Sequence, residues 1–249
     1  MDNKNNCDSN KPLIVGLVLL ALSIAFAGFM ISSGLKEFRS SDRTVNMKGL
    51  AQIDVEANTA LWTIKHSSTG NDLSQVQNVI QTNSDKIRAF LKTNGLSEFD
   101  IAGRRLEVMD LMAQSYRAQG AENARYIISE VLVVRSDKVD IVDAAYQNTG
   151  ELLKQNVSLI TQQGQSPIEY IFTGLNDIKP EMIAEATKSA REAAKQFASD
   201  SGARVGGIKY ANQGIFQILP RDSDQSYQER WSRYKTVRVV STIQFSIED

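Results

Sequence analysis

Few residues in this sequence are of the types that carry out covalent or metal-dependent chemistry. His66 is the only histidine and Cys7 the only cysteine. A histidine that acts as a general base needs an orienting acid and a nucleophile nearby, and no recognisable motif places them around His66. His66 also alternates onto the same face of a predicted strand as Ile64, which favours a structural histidine. The sequence therefore predicts no catalytic residue, and we expect a protein that is not an enzyme.

The sequence also contains no recognisable motif for a metal site or a phosphate site. One histidine and one cysteine leave only carboxylates as ligands, and no acidic loop of the EF-hand type is present. The glycine-rich run from Gly202 to Gly207 follows a predicted helix and precedes a predicted strand, which is the reverse of a phosphate-binding loop. That run indicates the end of a helix. We expect neither a cofactor nor a metal ion.

One segment near the carboxyl end is rich in residue types that are common in protein interfaces. Tyrosine, tryptophan and arginine are enriched where proteins bind one another. The candidates, called the hairpin surface below, are Tyr227, Arg230, Trp231, Arg233 and Tyr234. A solvated loop whose aromatic side chains fold back onto a sheet is the alternative interpretation. A partner- or ligand-binding module that acts through residues 227–234 is one hypothesis for the function.

The composition limits the classes of partner. The formal net charge is −1 and charged residues make up 23% of the chain. A nucleic-acid-binding surface needs an excess of basic residues, so we expect no nucleic-acid partner. No cysteine follows Cys7, which excludes disulfides and thiolate metal sites from the remainder of the chain.

An uncharged and largely apolar segment lies between Lys11 and Lys36. As a helix that rises ~1.5 Å per residue, Leu13 to Ile31 would be about 28 Å long, against a hydrocarbon thickness of roughly 30 Å. The segment predicts either an uncleaved signal anchor or a signal peptide that is cleaved at about Ala27. Because the apolar run continues beyond Ala27, we favour the anchor.

These features divide the chain into four parts. They are a short tail (1–11), the transmembrane anchor or signal peptide (12–35), a linker (36–42) and one exported domain (43–249). A short leading tail and a long trailing domain favour a cytoplasmic N-terminus. We therefore expect a single-pass protein of the inner membrane with its C-terminal domain in the periplasm, or a periplasmic protein if the signal is cleaved.

Hydrophobic periodicity in the exported domain predicts an α+β fold. Strands and helices alternate in the order β-β-α-β-β-α-β-α-β-β, typical of mostly antiparallel sheets with helices packed on one face. Gly49 within the first strand indicates a bulge or a close backbone approach. The segment from Pro167 to Phe172 predicts a strand, and at a sheet edge such a strand is able to pair with another subunit.

The late elements are the clearest of the domain. A helix opens at Asp177 and carries a narrow apolar stripe whose small residues allow close packing on a sheet. The stripe is predicted as Ile183, Ala186, Ala190, Ala193, Ala194 and Phe197. A strand over about Ile208 to Leu219 and a final strand over Val237 to Ile247 should then form an antiparallel hairpin around the insertion from Pro220 to Trp231.

Three segments resemble the SIMPL-domain family. They are the first strand from Arg43, the alanine-rich helix that ends at Gly202-Ala-Arg-Val-Gly-Gly-Ile, and the terminal Val-x-Val-x-x-x-Ile-x-Phe strand. The resemblance spans about Arg43 to Ile247. It implies an envelope protein, since the bacterial members are mostly periplasmic or envelope-associated, several are linked to oxidative-stress defence, and related immunogenic periplasmic proteins form ring-like oligomers. No catalytic residues come with the family.

The resemblance and the residues together define the expected function. We expect a membrane-anchored, exported domain with a non-catalytic, self-associating structural or stress-protection role in the bacterial envelope. The expected partners are further copies of the chain, the membrane through residues 12–35 and an envelope protein. Binding through the hairpin surface is the alternative.

Overall fold

The computed structural model describes residues 11–40, 43–113, 124–161 and 166–248, without the side chains of residues 11–14 and 32–40. Most of the predicted tail with Cys7, and residues 41–42 of the predicted linker, lie outside this part. The strand pairs whose register is described are all antiparallel. They confirm an α+β fold built on antiparallel sheets.

The first helix, α1, spans Lys11–Ser40. It continues into the residues that were predicted as a linker, so the chain stays helical as far as Ser40. Large apolar side chains between Val15 and Ile31 are 53% to 70% exposed. Among the helices in the described part of the chain, none is both long and apolar enough to count as a membrane-crossing candidate.

In the described part of the chain, eight strands form two sheets of four strands each. In the first sheet the order is β1-β8-β6, and β7 also pairs with β8. Its strands are β1 (Thr44–Glu56), β6 (Arg204–Gln213), β7 (Gln217–Pro220) and β8 (Tyr234–Glu248). In the second sheet the order is β3-β4-β2-β5. Its strands are β2 (Thr59–Gly70), β3 (Ile101–Asp110), β4 (Tyr126–Ser136) and β5 (Ile168–Ile171).

Within the described ranges, four more α-helices lie between the strands. They are α2 (Leu73–Thr93), α3 (Val139–Gln147), α4 (Gly150–Lys154) and α5 (Leu175–Asp200). Two short 3₁₀ helices span Glu98–Asp100 and Ser226–Trp231. The order of strands and helices after α1 agrees with the predicted order except at two places. One predicted helix is divided into α3 and α4, and one predicted strand is divided into β6 and β7.

Both breaks have a local cause. Between α3 and α4, the hydroxyl of Thr149 donates to the carbonyl of Tyr146, and the side-chain amide of Asn148 donates to Oδ1 of Asn94. The Thr149 hydroxyl competes with backbone N–H groups for a helical carbonyl. Between β6 and β7, the N–H of Gly214 donates to the carbonyl of Val240, and a Cβ at Gly214 would lie 2.5 Å from that oxygen.

The chain divides into two compact units, one of residues 1–51, 183–214 and 240–249 and one of residues 52–182 and 215–239. In the first unit, α5 lies against β1 through a stripe at i, i+4 spacing. That stripe consists of Ala186, Ala190, Ala194 and Ala198. Ala193 and Phe197 were wrongly predicted to belong to it, since both are exposed. The residues that face the sheet keep strictly to every fourth position, and these two fall off that line.

Gly49 on β1 allows this close packing, which confirms the predicted backbone approach. A Cβ at Gly49 would lie 1.8 Å from the carbonyl oxygen of Ala186 and 2.6 Å from the amide nitrogen of Ala190. Real Cβ atoms do not come that close to backbone, so only glycine fits between the strand and this turn of α5.

In the second unit, a larger apolar core lies between the second sheet and helices α2, α3 and α4. Its largest fully buried side chains are Trp62, Ile64, Ile87, Leu91, Leu96, Leu132, Leu152 and Ile168. β5 lies at one edge of this sheet and β3 lies at the other, so the condition named for residues 167–172 is met. Ten residues of β3 are half-buried or exposed, with no buried position among them.

Candidate functional site

The hairpin surface lies in the second unit, between β7 and the start of β8. Residues Gln217 to Pro220 pair with Arg238 to Lys235 in antiparallel register, which confirms a hairpin at this place. The connection between the two strands is not an open loop, because the 3₁₀ helix Ser226–Trp231 occupies it. Three of the five predicted residues lie on this short helix.

Tyr227 and Trp231 line an open cleft with a volume of about 440 Å³, called the Trp231 cleft below. Tyr227 is 66% exposed, and Trp231 is half-buried. Pro220, Asp222, Ser223 and Gln228 also line it. This volume falls in the range of roughly 300–1,000 Å³ that is usual for small-ligand sites. The structure therefore brings two of the predicted residues together around a space.

Arg233 has a different role, because its guanidinium group contacts three carboxylates of the same unit. Its Nε donates to Glu56 at 2.6 Å, Nη1 donates to Asp143 at 2.9 Å, and Nη2 donates to Asp140. Hydrogen bonds to these carboxylates, first among them Asp140, raise the pKa of Arg233. Its side chain is only 25% exposed. Arg233 holds β8, β1 and α3 together and is not displayed to a partner.

The remaining two residues are exposed but already in contact with neighbours. Arg230 lies 3.6 Å from the carboxylate of Glu169 on β5. The ring of Tyr234 has the guanidinium of Arg221 at 4.4 Å and that of Arg233 at 5.9 Å, both within cation–π range. The five predicted residues therefore do not form one continuous binding face.

Lys235 was missed by the sequence reasoning and organises the same hairpin. Its side chain is fully buried, and its Nζ donates to both the backbone carbonyl and the side chain of Glu229. A buried ammonium is costly unless it is paired, so this lysine fixes the carboxyl end of the 3₁₀ helix to β8. The inward position of Lys235 in the alternation Lys235, Val237, Val239 was the available signal.

A second polar cluster, also missed, lies in the core under α2. His66 on β2 and Glu130 on β4 face each other across the strand pair, and His66 Nε2 lies 2.7 Å from Glu130 Oε2. Both side chains are buried. Arg104 on β3 donates from Nε to the other oxygen of Glu130, and its Nη2 donates to Gln81 on α2. We call His66, Glu130 and Arg104 the buried ionic cluster after its two buried members; the side chain of Arg104 is 40% exposed.

The electrostatics of the cluster keep the carboxylate ionised. Burial by itself raises the pKa of Glu130, but the hydrogen bonds from Arg104 and His66 outweigh it, so the pKa is lowered. The hydroxyl of Ser84 on α2 lies near and lowers that pKa further. Among the described residues, however, neither Ser84 Oγ nor His66 Nδ1 has a hydrogen-bond partner of ordinary length. The cluster therefore keeps an ionised carboxylate in the interior, next to two buried polar atoms, His66 Nδ1 and Ser84 Oγ, that lack such a partner.

This arrangement bears on the chemistry that His66 is able to perform. Its side chain is buried and lines neither the Trp231 cleft nor a smaller cleft beside Arg230. A general base must reach the proton that it removes, and a histidine enclosed by packing has no such access. Within the described ranges, no three His, Cys, Asp or Glu residues are grouped to hold a metal ion.

With this geometry in place, comparison with known proteins identifies the domain. A family model described as "SIMPL: Protein of unknown function (DUF541)" matches residues 45–245. The chain belongs to the SIMPL family. The resemblance of the first strand, the alanine-rich helix and the last strand is thereby confirmed over nearly the whole domain. The SIMPL domain is of unknown function by its own description.

Other comparisons add little to the SIMPL assignment. No curated protein matches the chain. Two solved structures described as hydrolases from Listeria innocua are 11% and 12% identical, cover 79% of this chain and 91% of theirs, and have TM-scores of 0.20 and 0.21. An uncharacterized conserved protein from the same organism is 12% identical, and its TM-score is 0.19. The match covers 76% of this chain and 90% of that protein's chain. TM-scores this low carry no inference about the fold or activity of this SIMPL protein.

Proposed function

We propose that this SIMPL protein is a non-catalytic, self-associating structural protein of the bacterial envelope with a role in stress protection. The observation that supports self-association best is the exposed edge strand β3. The second sheet ends at β3, whose described strand partner is β4 on one side only. An unprotected strand edge is a template for pairing with a further chain.

The side chains of this edge add an apolar surface to the open backbone. Four large apolar side chains on or just after this strand are exposed: Leu106 (45%), Val108 (56%), Met109 (47%) and Met112 (59%). We call these four residues the β3 surface. Leu106 and Val108 lie on one face of the strand, and Met109 lies on the other, so apolar groups flank the edge on both sides. Apolar groups that are concentrated at one edge favour contact with a second copy over contact with water.

Replacing Val108 by lysine tests this proposal. A charge on an edge strand opposes pairing with another edge, so we expect Val108→Lys to weaken self-association at least tenfold while the fold is retained. The measurement is the mass distribution of the full chain by mass photometry across a concentration series. Ile208→Lys is the matched control, because Ile208 is 44% exposed on β6, an edge strand of the first sheet.

Two results would contradict the proposal. One is a wild-type chain that stays monomeric at micromolar concentration. The other is an Ile208→Lys variant that dissociates as far as Val108→Lys, since the effect would then be a general one of added charge. Circular dichroism of each variant separates loss of assembly from loss of fold.

Attachment to the membrane through residues 12–35, and location in the envelope, also belong to the proposal. They are supported by the uncharged stretch between Lys11 and Lys36 and by the exposed apolar side chains of α1. We expect the full chain to sediment with membranes and to resist extraction by alkaline carbonate, whereas a variant without residues 12–35 should not. Full-length protein in the soluble fraction would exclude membrane attachment.

A further inference from the structure

The Trp231 cleft has the composition of a site for a neutral, hydroxylated ligand. We propose that it binds a sugar residue, with the ring lying against Trp231 and Tyr227 and its hydroxyl groups bonded to the polar side chains of the cleft. This inference goes beyond self-association through the β3 surface and uses different residues.

The first argument is the charge of the cleft. Among the described residues that line it, Asp222 is the one with a charge, and Arg221 neutralises that carboxylate with two hydrogen bonds of 2.9 and 3.0 Å. The guanidinium of Arg221 lowers the pKa of Asp222, so the pair stays ionised and its charges balance. A site without net charge offers little to a phosphate, a carboxylate or an ammonium ligand. It suits a neutral molecule that is held by hydrogen bonds.

The second argument is the hydrogen-bonding capacity that the cleft keeps open. Ser223 Oγ accepts from the N–H of Gln225, which leaves its hydroxyl proton to be donated. Gln228 donates its side-chain amide to Gln225 Oε1, and no described residue donates to the carbonyl oxygen of Gln228. Tyr227 donates its hydroxyl to the same Gln225 oxygen and keeps its lone pairs. A donor and several acceptors thus line one wall.

The third argument is that these groups are held in place before a ligand arrives. Gln225 Oε1 accepts hydrogen bonds from the hydroxyl of Tyr227 and from the side-chain amide of Gln228. One side chain thus orients two residues of the short 3₁₀ helix. Lys235 fixes the end of that helix from below through Glu229. Groups that are fixed in advance lose little entropy on binding, which raises the affinity for a matching ligand.

The fourth argument is the pairing of these polar groups with aromatic rings. A pyranose has hydroxyls around its rim and a face of C–H groups, and that face packs on the rings of tryptophan and tyrosine. Trp231 is half-buried and Tyr227 is exposed, so both present ring surface to the space between them. A volume of about 440 Å³ accommodates a monosaccharide or one end of an oligosaccharide.

Saturation-transfer NMR on the full chain tests the proposal with a panel of neutral sugars. The panel contains glucose, galactose, N-acetylglucosamine and their β-1,4-linked dimers, and choline serves as a cationic probe. We expect at least one sugar to bind with a Kd on the order of 1 mM, as befits an open site. Gln228→Ala and Trp231→Ala should each weaken that binding at least tenfold.

The control variant is Tyr210→Ala. It removes a tyrosine that is 59% exposed on β6 and belongs to the other unit of the chain, so sugar binding should be unchanged. Gln228→Ala keeps all the aromatic rings, which separates loss of a hydrogen bond from loss of fold. The proposal is overturned if no sugar in the panel binds, if both cleft variants bind as the wild type does, or if choline displaces every sugar. Self-association, measured by mass photometry, is expected to persist in the cleft variants.

Discussion

Replacing Glu130 by glutamine is expected to destabilise the second unit by about 3 kcal/mol at neutral pH. Removal of one member of a buried ion pair costs roughly 3–5 kcal/mol, and we expect the low end because the Arg104 side chain is 40% exposed and stays partly hydrated. Glutamine has one accepting oxygen where glutamate has two, so it accepts a hydrogen bond from either His66 or Arg104 and faces the other with an NH₂ group. Urea unfolding followed by circular dichroism, at one fixed protein concentration, measures the difference.

The matched control for this variant is Glu107→Gln. Glu107 lies on β3, the strand next to β4 in the same sheet, and its ion pair with Arg105 at 3.1 Å is formed between side chains that are 52% and 70% exposed. Exposed pairs contribute at most about 1 kcal/mol, so this variant should unfold close to the wild type. A Glu130→Gln effect no larger than that of Glu107→Gln would show that the buried ionic cluster does not hold the second sheet together.

The effect of Glu130→Gln on stability should depend on pH, because the pKa of Glu130 is lowered in the folded protein. The pKa of Glu130 in the folded protein lies below its ordinary value of 4.5. Its contribution to stability is therefore fully present above pH 4.5 and is lost as the pH falls through the lower, folded value. The difference between wild type and Glu130→Gln should shrink progressively in acid. A difference that stays constant from neutral pH to pH 3 would contradict this account.

Replacing Gly49 by alanine is expected to have an effect of similar or greater size on the first unit. The added methyl carbon would lie 1.8 Å from the carbonyl oxygen of Ala186 and 2.6 Å from the amide nitrogen of Ala190. Both are backbone atoms of α5, so no side-chain rotation relieves the clash and the helix must move away from β1. Overpacking of this kind costs about 3 kcal/mol or more. Thermal unfolding and the yield of soluble protein are the measurements.

Gly207→Ala is the control for that substitution. Gly207 lies on β6 in the same unit, and a Cβ at that position would have no atom within 4 Å. The change should be neutral or slightly stabilising, because alanine reduces the freedom of the unfolded chain. Equal stability of Gly49→Ala and wild type would mean that α5 does not approach β1 as closely as the structure shows.

These two sites differ in how far the sequence reveals them. Gly49 is visible in advance, because a glycine within an alternating strand and a helix with alanines at i, i+4 both indicate a close approach. Glu130 is harder to recognise, since it stands alone in the apolar run Ile127 to Val134 and its partners are distant in sequence. His66 lies opposite it only through the register of β2 and β4, which local periodicity does not supply.

The hairpin surface shows the same limit. The residue types of Tyr227, Trp231 and Arg233 suggested one binding face, and the structure separates them by role. Arg233 pairs with Glu56, Asp140 and Asp143, which come from two distant parts of the chain. Because only the fold brings such partners together, composition alone overestimates the number of side chains that are available to a ligand. The cleft beside Trp231 depends on a 3₁₀ helix that hydrophobic periodicity does not predict.

The interleaved composition of the two units has a consequence for biosynthesis. Strand β8 is the last of the chain and pairs with β1, and Ile247 N–H donates to the carbonyl of Arg43 at 2.9 Å. The first unit therefore lacks its central strand until Tyr234–Glu248 has been synthesised, long after β1 (Thr44–Glu56). Contacts between such distant residues close large loops and form slowly. Until β8 is added, the apolar faces of β1 and the alanine stripe lack the strand that completes their sheet, and apolar surface that is exposed in this way favours aggregation.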